Sequence, residues 1–222
     1  MVEINKVVRE IKSMISEGKD IEEIVIRESN YTIIHFMHSI SETDFTVTLL
    51  FEKDDSKFLF CPIQYQINYN QLDDVVNKIL IKNGLSFKDS KSNRWGSFFI
   101  EKQKYNSLVA DDSITKIFEN QYNNEILPFF KKWHNLNVLY EYIKDKTEDE
   151  LWDILGQFAP MKKAVILKLC NDSNYQSFMD NYFQKQKEYF EEDPEDIDNI
   201  RYYNASKELK EILDKTKPIY NL

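Results

Sequence analysis

Between residues 31 and 69 the apolar side chains recur at every second position, and from residue 112 onward they recur every third or fourth. A period of two belongs to strands, whose successive side chains face opposite sides of a sheet; a period near 3.6 belongs to helices. Two such blocks in succession restrict the chain to an α+β fold, with an N-terminal helix and antiparallel meander followed by a mainly helical C-terminal half.

The strand pattern is explicit. In "YTIIHFMHS" Ile34 and Phe36 share one face, with Ile33 and Met37 on the other. "DFTVTLLFE" alternates Phe45, Val47, Leu49 and Phe51 against Thr46, Thr48 and Leu50, and "KFLFCPIQYQINY" sets Leu59, Cys61, Ile63, Tyr65, Ile67 and Tyr69 on one side. The connectors "SISETD" and "EKDDSK" are short and polar, which predicts hairpins. Pro62 has no N–H to give a ladder, so an edge or a bulge is expected there.

Helices flank this block. Ile4, Val7, Val8, Ile11, Met14 and Ile15 follow helical spacing, with Gly18 placed to end the helix. "DIEEIVIRES" finishes as a strand. Asn70 is the expected cap of a helix through Leu72, Val75, Val76, Ile79 and Leu80, closed by Gly84, and "RWGSFFIEK" reads as one more strand. Later helix starts are marked by Ser113, by Thr147 with Glu150, by Ser173 with Gln176, and by Asp193, Pro194 and Asp196. The expected division is residues 1–110, helix plus sheet, and 111–222, helical, packed as one globular unit. Pro128 interrupts a helical pattern running from Ile114 to Trp133. A proline clashes with the carbonyl four residues back, so a kinked helix is expected, with a break at Leu127 as the alternative.

Charge and composition narrow the function classes. The net charge is −9, from 29 Lys/Arg and 38 Asp/Glu. No base-dense run offers the counterions that phosphate binding needs, so nucleic acid is not an expected partner. No stretch has the roughly 20 apolar residues of a membrane helix, and "MVEINKVVREIKSMISEG" lacks the apolar run of a signal peptide, so a cytoplasmic location away from membranes is expected. Cys61 and Cys170 read as free thiols, though a single disulfide between them is the alternative.

The residues that could carry chemistry are sparse. His35 and His38 fall on opposite faces of a strand, poor geometry for a shared metal, and His134 sits where a helix end would use it. With four glycines and no phosphate loop, nucleophile elbow or HExxH motif, neither a cofactor nor a metal is expected, and no residue can be named as catalytic. The chain reads as a non-enzyme more readily than as an enzyme. Trp133 and Trp152 fall on apolar helical stripes and are expected in the core, whereas Trp95, beside Arg94, could line a groove. The densest feature is "KEYFEEDPEDIDNIRYY": Glu188, Glu191, Glu192, Asp193, Glu195, Asp196 and Asp198 occur with no base between Lys187 and Arg201. A solvated turn between helices explains it simply. The functional reading is a docking surface for a basic protein, with Tyr189, Tyr202 and Tyr203 as aromatic anchors.

Four segments together, "YTIIHFMHSISETDFTVTLLF", "RWGSFFIEKQKYNSLVADDSI", "ILPFFKKWHNLNVLYEYI" and "MKKAVILKLCNDSNYQSFMDNYF", resemble the bacterial family called domain of unknown function 4304. Phe45 to Leu49, Trp95, and Leu127 to Phe129 occupy the places of its extended strand, its Trp-bearing strand and its Leu-Pro-aromatic turn. The chain departs at Thr48, where the pattern has Asn, and in its acidic tail. The resemblance covers residues 30–185 and implies an α+β fold with no assigned catalytic residues. By analogy of type, small acidic proteins of this kind are similar to the immunity proteins of bacterial toxin systems, which occlude a basic partner. The expected function is therefore an acidic protein-binding module, with an immunity-type inhibitor of a basic protein as its narrower form. The alternatives are an enzyme or small-molecule binder with a pocket between sheet and helices, and a structural homo-oligomer; the oligomeric state is open.

Overall fold

A computed structural model describes residues 4–16, 20–40, 42–54, 57–86, 107–111 and 113–220. The α+β order holds. Helix α1 (Ile4–Ile15) precedes strands β1 (Glu22–Arg27), β2 (Tyr31–Ile40), β3 (Thr43–Asp54), β4 (Lys57–Phe60) and β5 (Gln64–Tyr69); α2 (Asn70–Lys82) and the short β6 (Leu108–Val109) follow. The rest is helical: α3 (Ile114–Gln121), a π turn (Tyr122–Ile126), α4 (Leu127–Lys132), α5 (Leu136–Ile143), α6 (Glu148–Leu155), α7 (Ala159–Leu169), α8 (Tyr175–Glu192) and α9 (Ile197–Lys215). Among the described residues, those up to 68 together with 107–134 form one compact unit, and 69–86 together with 135–220 form a second. This division does not follow the expected boundary at residue 110: α2 belongs with the later helices, and α3 and α4 belong with the sheet.

In the first unit β1, β2, β3, β4 and β6 lie in that order, and β5 also pairs with β3. The β2–β3 hairpin pairs Ile34 with Leu49 and Phe36 with Val47, so the alternation in both strands meets in register on one face. All four are buried, with Phe51 and Phe60 continuing the face, and α1 adds Val7, Val8, Ile11 and Ile15. Ile114, Phe118, Tyr122 and Ile126 complete this core from the helical side. A hydrogen bond from Thr115 Oγ1 to Glu10 Oε2 (2.8 Å) ties α3 to α1, and the Lys12–Glu23 ion pair (2.8 Å) ties α1 to β1.

The expected alternation from Leu59 to Tyr69 holds from Cys61 onward, with Cys61, Ile63, Ile67 and Tyr69 buried, and is corrected at its start. Phe60, paired with Phe51, is the buried residue, and Leu59 is only half-buried. The chain leaves the strand at Cys61–Ile63, around Pro62, and re-enters with Ile63 and Ile67 buried. Lacking an N–H, Pro62 cannot extend the ladder, and the interruption shifts the phase of the pattern.

Pro128 does not break its helix. The helical run is continuous from Ile114 to Lys132 because a π turn precedes the proline, and Leu127 N–H donates to the carbonyl of Tyr122, five residues back. The wider turn leaves Pro128 in the first turn of α4, where a missing donor costs little.

The second unit is built around α7, in which every residue from Met161 to Leu167 is buried. A helix buried on all sides needs neighbours all round it. It packs with α2, α5, α6, α8 and α9. Thr147 and Glu150 form the expected capping box at α6, and Asp196 caps α9 by accepting from the backbone N–H groups of Asp198 and Asn199. Two expected starts move. Tyr69, not Asn70, occupies the cap position of α2, and α8 begins after Asn174, whose N–H donates to Asp172 Oδ1 (2.6 Å), rather than at Ser173. Beyond α9 the chain returns, with Ile219 N–H donating to the Leu169 carbonyl (2.9 Å). No helix among the described residues is long and apolar enough to cross a membrane.

Candidate functional site

Trp152 was expected in the core, yet it is 46% exposed. Leu151 and Leu155 take the buried face of the eight-residue α6, which turns Trp152 outward. Gly156 then ends the helix at φ 65°, ψ −149°, a conformation that favours glycine, and nothing lies within 4 Å of where a Cβ would stand. The glycine is thus required by the backbone alone. Two residues later Phe158 is left-handed (φ 63°, ψ 26°), an uncommon state for a bulky residue. Its ring lies against Tyr202, centroids 6.2 Å apart.

These turns open a cleft of about 500 Å³ within the helical unit. Trp152 and Phe158 line it from α6 and the following turn, Phe178, Tyr182 and Tyr189 from α8, and Tyr202 from α9. Burial, and the neighbouring phenol of Tyr202, push the Tyr182 hydroxyl above its usual range; burial and Asp198 do the same to Tyr202. Both are therefore neutral donors at physiological pH. Lys146, Lys163 and Lys185 also line the cleft. Lys146 is paired with Glu150 (2.8 Å), and Lys185 with Glu148 (3.7 Å). Lys163 is different: it is only 9% exposed, donates one long hydrogen bond to the Lys144 carbonyl (3.5 Å), and rests 5.4 Å from the Phe178 ring centroid. Burial lowers its affinity for a proton, which Asp172 and Asp145 partly offset.

The acidic run forms the end of α8, the turn 193–196 and the start of α9, and all seven carboxylates are exposed. Several have local work. Asp193 accepts from Glu195 N–H and Asp196 from two N–H groups, Glu188 accepts from Gln184, Glu191 pairs with Lys187 (3.4 Å) and Asp198 with Arg201 (3.3 Å). The expected aromatic anchors separate. Tyr189 is 43% exposed and, like Tyr202, lines the cleft. Tyr203 instead stacks on Phe190 (4.9 Å between centroids, 6° between planes) and leans on Phe183, binding α8 to α9. Asn199 links turn and cleft, since its amide donates to the Tyr189 carbonyl (3.0 Å).

Trp95 and Arg94, expected at a groove, lie outside the described residues, as do Gly18 and the expected strand "RWGSFFIEK". His35 Nδ1 lies 2.8 Å from Thr48 Oγ1 on the neighbouring strand, and burial lowers the histidine's affinity for a proton. His38 Nδ1 lies 3.0 Å from the Asp20 carbonyl and His134 Nδ1 2.8 Å from that of Lys131, at the end of α4. Cys61 and Cys170 are buried and form no disulfide; Ser107 Oγ donates to Cys61 Sγ (3.6 Å), Cys170 Sγ donates to Asn137 Oδ1 (3.4 Å), and burial, with Asp172 and Glu141, pushes the Cys170 thiol up to about 12. Among the described residues no group of His, Cys, Asp or Glu is arranged to hold a metal ion. The cleft described here lies among helices of one unit and is not the pocket between sheet and helices that the sequence suggested. The aromatic residues of α8 and α9 were visible in the sequence. Lys163 and Phe158 were not singled out; the positive φ two residues after a glycine leaves no mark in residue type. Comparison with protein-family models, curated proteins and solved structures finds no match.

Proposed function

We propose that this chain is a binding protein that holds a small organic molecule in the aromatic cleft of its helical unit. The observation that carries the reading is Trp152, a large apolar side chain kept at the surface beside Phe158, Phe178 and Tyr182 in a concavity of about 500 Å³. That volume lies in the usual range for ligand sites, which are lined mainly by aromatic and apolar groups with a few polar ones. Flat rings gain from stacking on such walls, and the ligand removes exposed apolar surface from water, at roughly 25 cal/mol per Å². The test is a screen of aromatic fragments by saturation-transfer NMR on the wild type and on Trp152→Ala. Fragments that contact the wild type should lose their signal in the variant. A screen with no contacts, or with contacts indifferent to Trp152, sinks the reading.

The exposure of all seven carboxylates between Glu188 and Asp198 favours a second reading, an acidic docking surface that occludes a basic protein, as an immunity protein does. Opposite charges at an exposed rim speed encounter and are screened by salt. The reading requires a basic partner whose association rate falls steeply with salt and falls again when Glu191, Glu192 and Asp193 are changed to Lys. Association with unchanged rate in that triple variant would remove the acidic surface from consideration.

A further inference from the structure

Among the three lysines of the cleft, Lys163 alone has no carboxylate within ion-pair distance among the described residues, while Lys146 and Lys185 each have one. An ammonium carries three N–H donors, and in water all three are satisfied. Here burial removes part of that water, and one 3.5 Å bond to a carbonyl and a ring face 5.4 Å away return little, which leaves N–H groups directed at the cleft. The preceding residue on the same helix is better compensated. Lys162 exposes as little of its whole side chain, 8% against 9%, but its ammonium lies deeper than that of Lys163; its Nζ donates to the Leu155 carbonyl at 2.6 Å, and the charge of Asp73 acts on it favourably. Asp172 and Asp145 act on Lys163 only from beyond ion-pair distance. The cleft therefore holds one cation without an ion-pair partner, set beside aromatic rings and two lysines that are already paired.

Resting on the reading of the cleft as a small-molecule site, we infer that its ligand is an aromatic carboxylic acid, bound as the carboxylate with its charge on Lys163 and its ring among Trp152, Phe158 and Phe178. A carboxylate accepts charge-assisted hydrogen bonds through both oxygens, which suits a donor with two free N–H groups. A single positive charge matches a single negative one. A dianionic phosphate would leave net charge stranded against apolar walls, at a desolvation cost that one lysine does not offset. The neutral phenols of Tyr182 and Tyr202 add hydrogen-bond donors without adding charge.

The test uses matched probes, 1-naphthylacetate and 1-naphthylacetamide, titrated into the full chain by calorimetry. The carboxylate is expected to bind at least ten-fold more tightly than the amide. Lys163→Met should reduce that preference to about two-fold, and Lys163→Arg should keep it. Equal binding of the two probes to the wild type, or a preference that survives Lys163→Met, overturns the inference while leaving the cleft reading intact. Failure of both probes to bind, with fragments of every charge silent in the screen, overturns both. Should Lys163→Met not fold, protein labelled with 13Cε-lysine decides the matter. The Lys163 signal, assigned by its absence in Lys163→Arg, should move on titration with the carboxylate and stay still with the amide. A signal indifferent to the carboxylate overturns the inference.

Discussion

Phe51 in the sheet unit and Trp152 in the helical unit are large aromatics on regular, amphipathic elements, and their environments differ completely. Phe51 is fully buried at 0% exposure, tilted against Phe60 with centroids 5.3 Å apart. Trp152 is 46% exposed. The contrast extends to their neighbours. Aromatic rings of the sheet unit close on one another: Phe118 stacks on Tyr122 and Phe45 meets Phe130 edge-on, 5.1 Å between centroids. The interior of the helical unit is instead filled by the small and branched side chains of α7, Ala164, Val165, Ile166 and Leu167. With the centre filled, rings on the surrounding helices are left to the rim. The sheet unit closes its rings into a core, whereas the helical unit stacks Phe190 on Tyr203 between α8 and α9 and leaves Trp152 at the rim of the cleft.

The largest expected effect tests the first half of that contrast. Phe51→Ala removes a fully buried ring and leaves a cavity in a close-packed core, which costs about 3–5 kcal/mol. Trp152→Ala removes a ring already in contact with water and should cost below about 1 kcal/mol. Urea denaturation followed by circular dichroism measures both. A Trp152→Ala loss as large as that of Phe51→Ala would make the tryptophan a core residue and erase the distinction between the units.

Much of the sheet unit was legible because its signal is local and redundant. The two-residue period grouped Ile34 with Phe36, and Val47 with Leu49 and Phe51, on one face of each strand without reference to anything distant, and the structure buries both groups. The phase failed only where Pro62 interrupts the ladder, and residue type does not say how many residues such an interruption consumes. Helix starts were legible where the side chain itself caps, as at Thr147 and Asp196, and missed where the backbone turned without a capping side chain, as at Tyr69 and Asn174. The cleft was mostly hidden. Trp152 falls on an apolar stripe that is wider than the face α6 buries, and a stripe does not state its buried width. The compensation of Lys162 and the lack of it at Lys163 depend on which carbonyl each adjacent side chain reaches, which only the packing of α5 and α6 decides.

The smallest expected effect on stability is the sharpest test of the second half. Phe158 holds a left-handed conformation that an L-residue adopts at a cost of about 1–2 kcal/mol, and glycine adopts it freely. Phe158→Gly therefore gains backbone relief and loses a half-buried ring packed on Tyr202, worth about 1–2 kcal/mol by the area it covers. The two terms oppose each other, so the net change in stability should lie within about 1 kcal/mol of zero. Binding has no such compensation: the ring is part of the cleft wall, and naphthylacetate affinity should fall about ten-fold, or ~1.4 kcal/mol. Strained residues persist where the surrounding structure holds them, and they cluster at binding sites. A ring held there for the fold would give the opposite result, a large loss of stability with affinity unchanged in the molecules that remain folded. Phe158 would then join Phe51 as an aromatic of the core, and the cleft would lose the wall that turns towards its ligand.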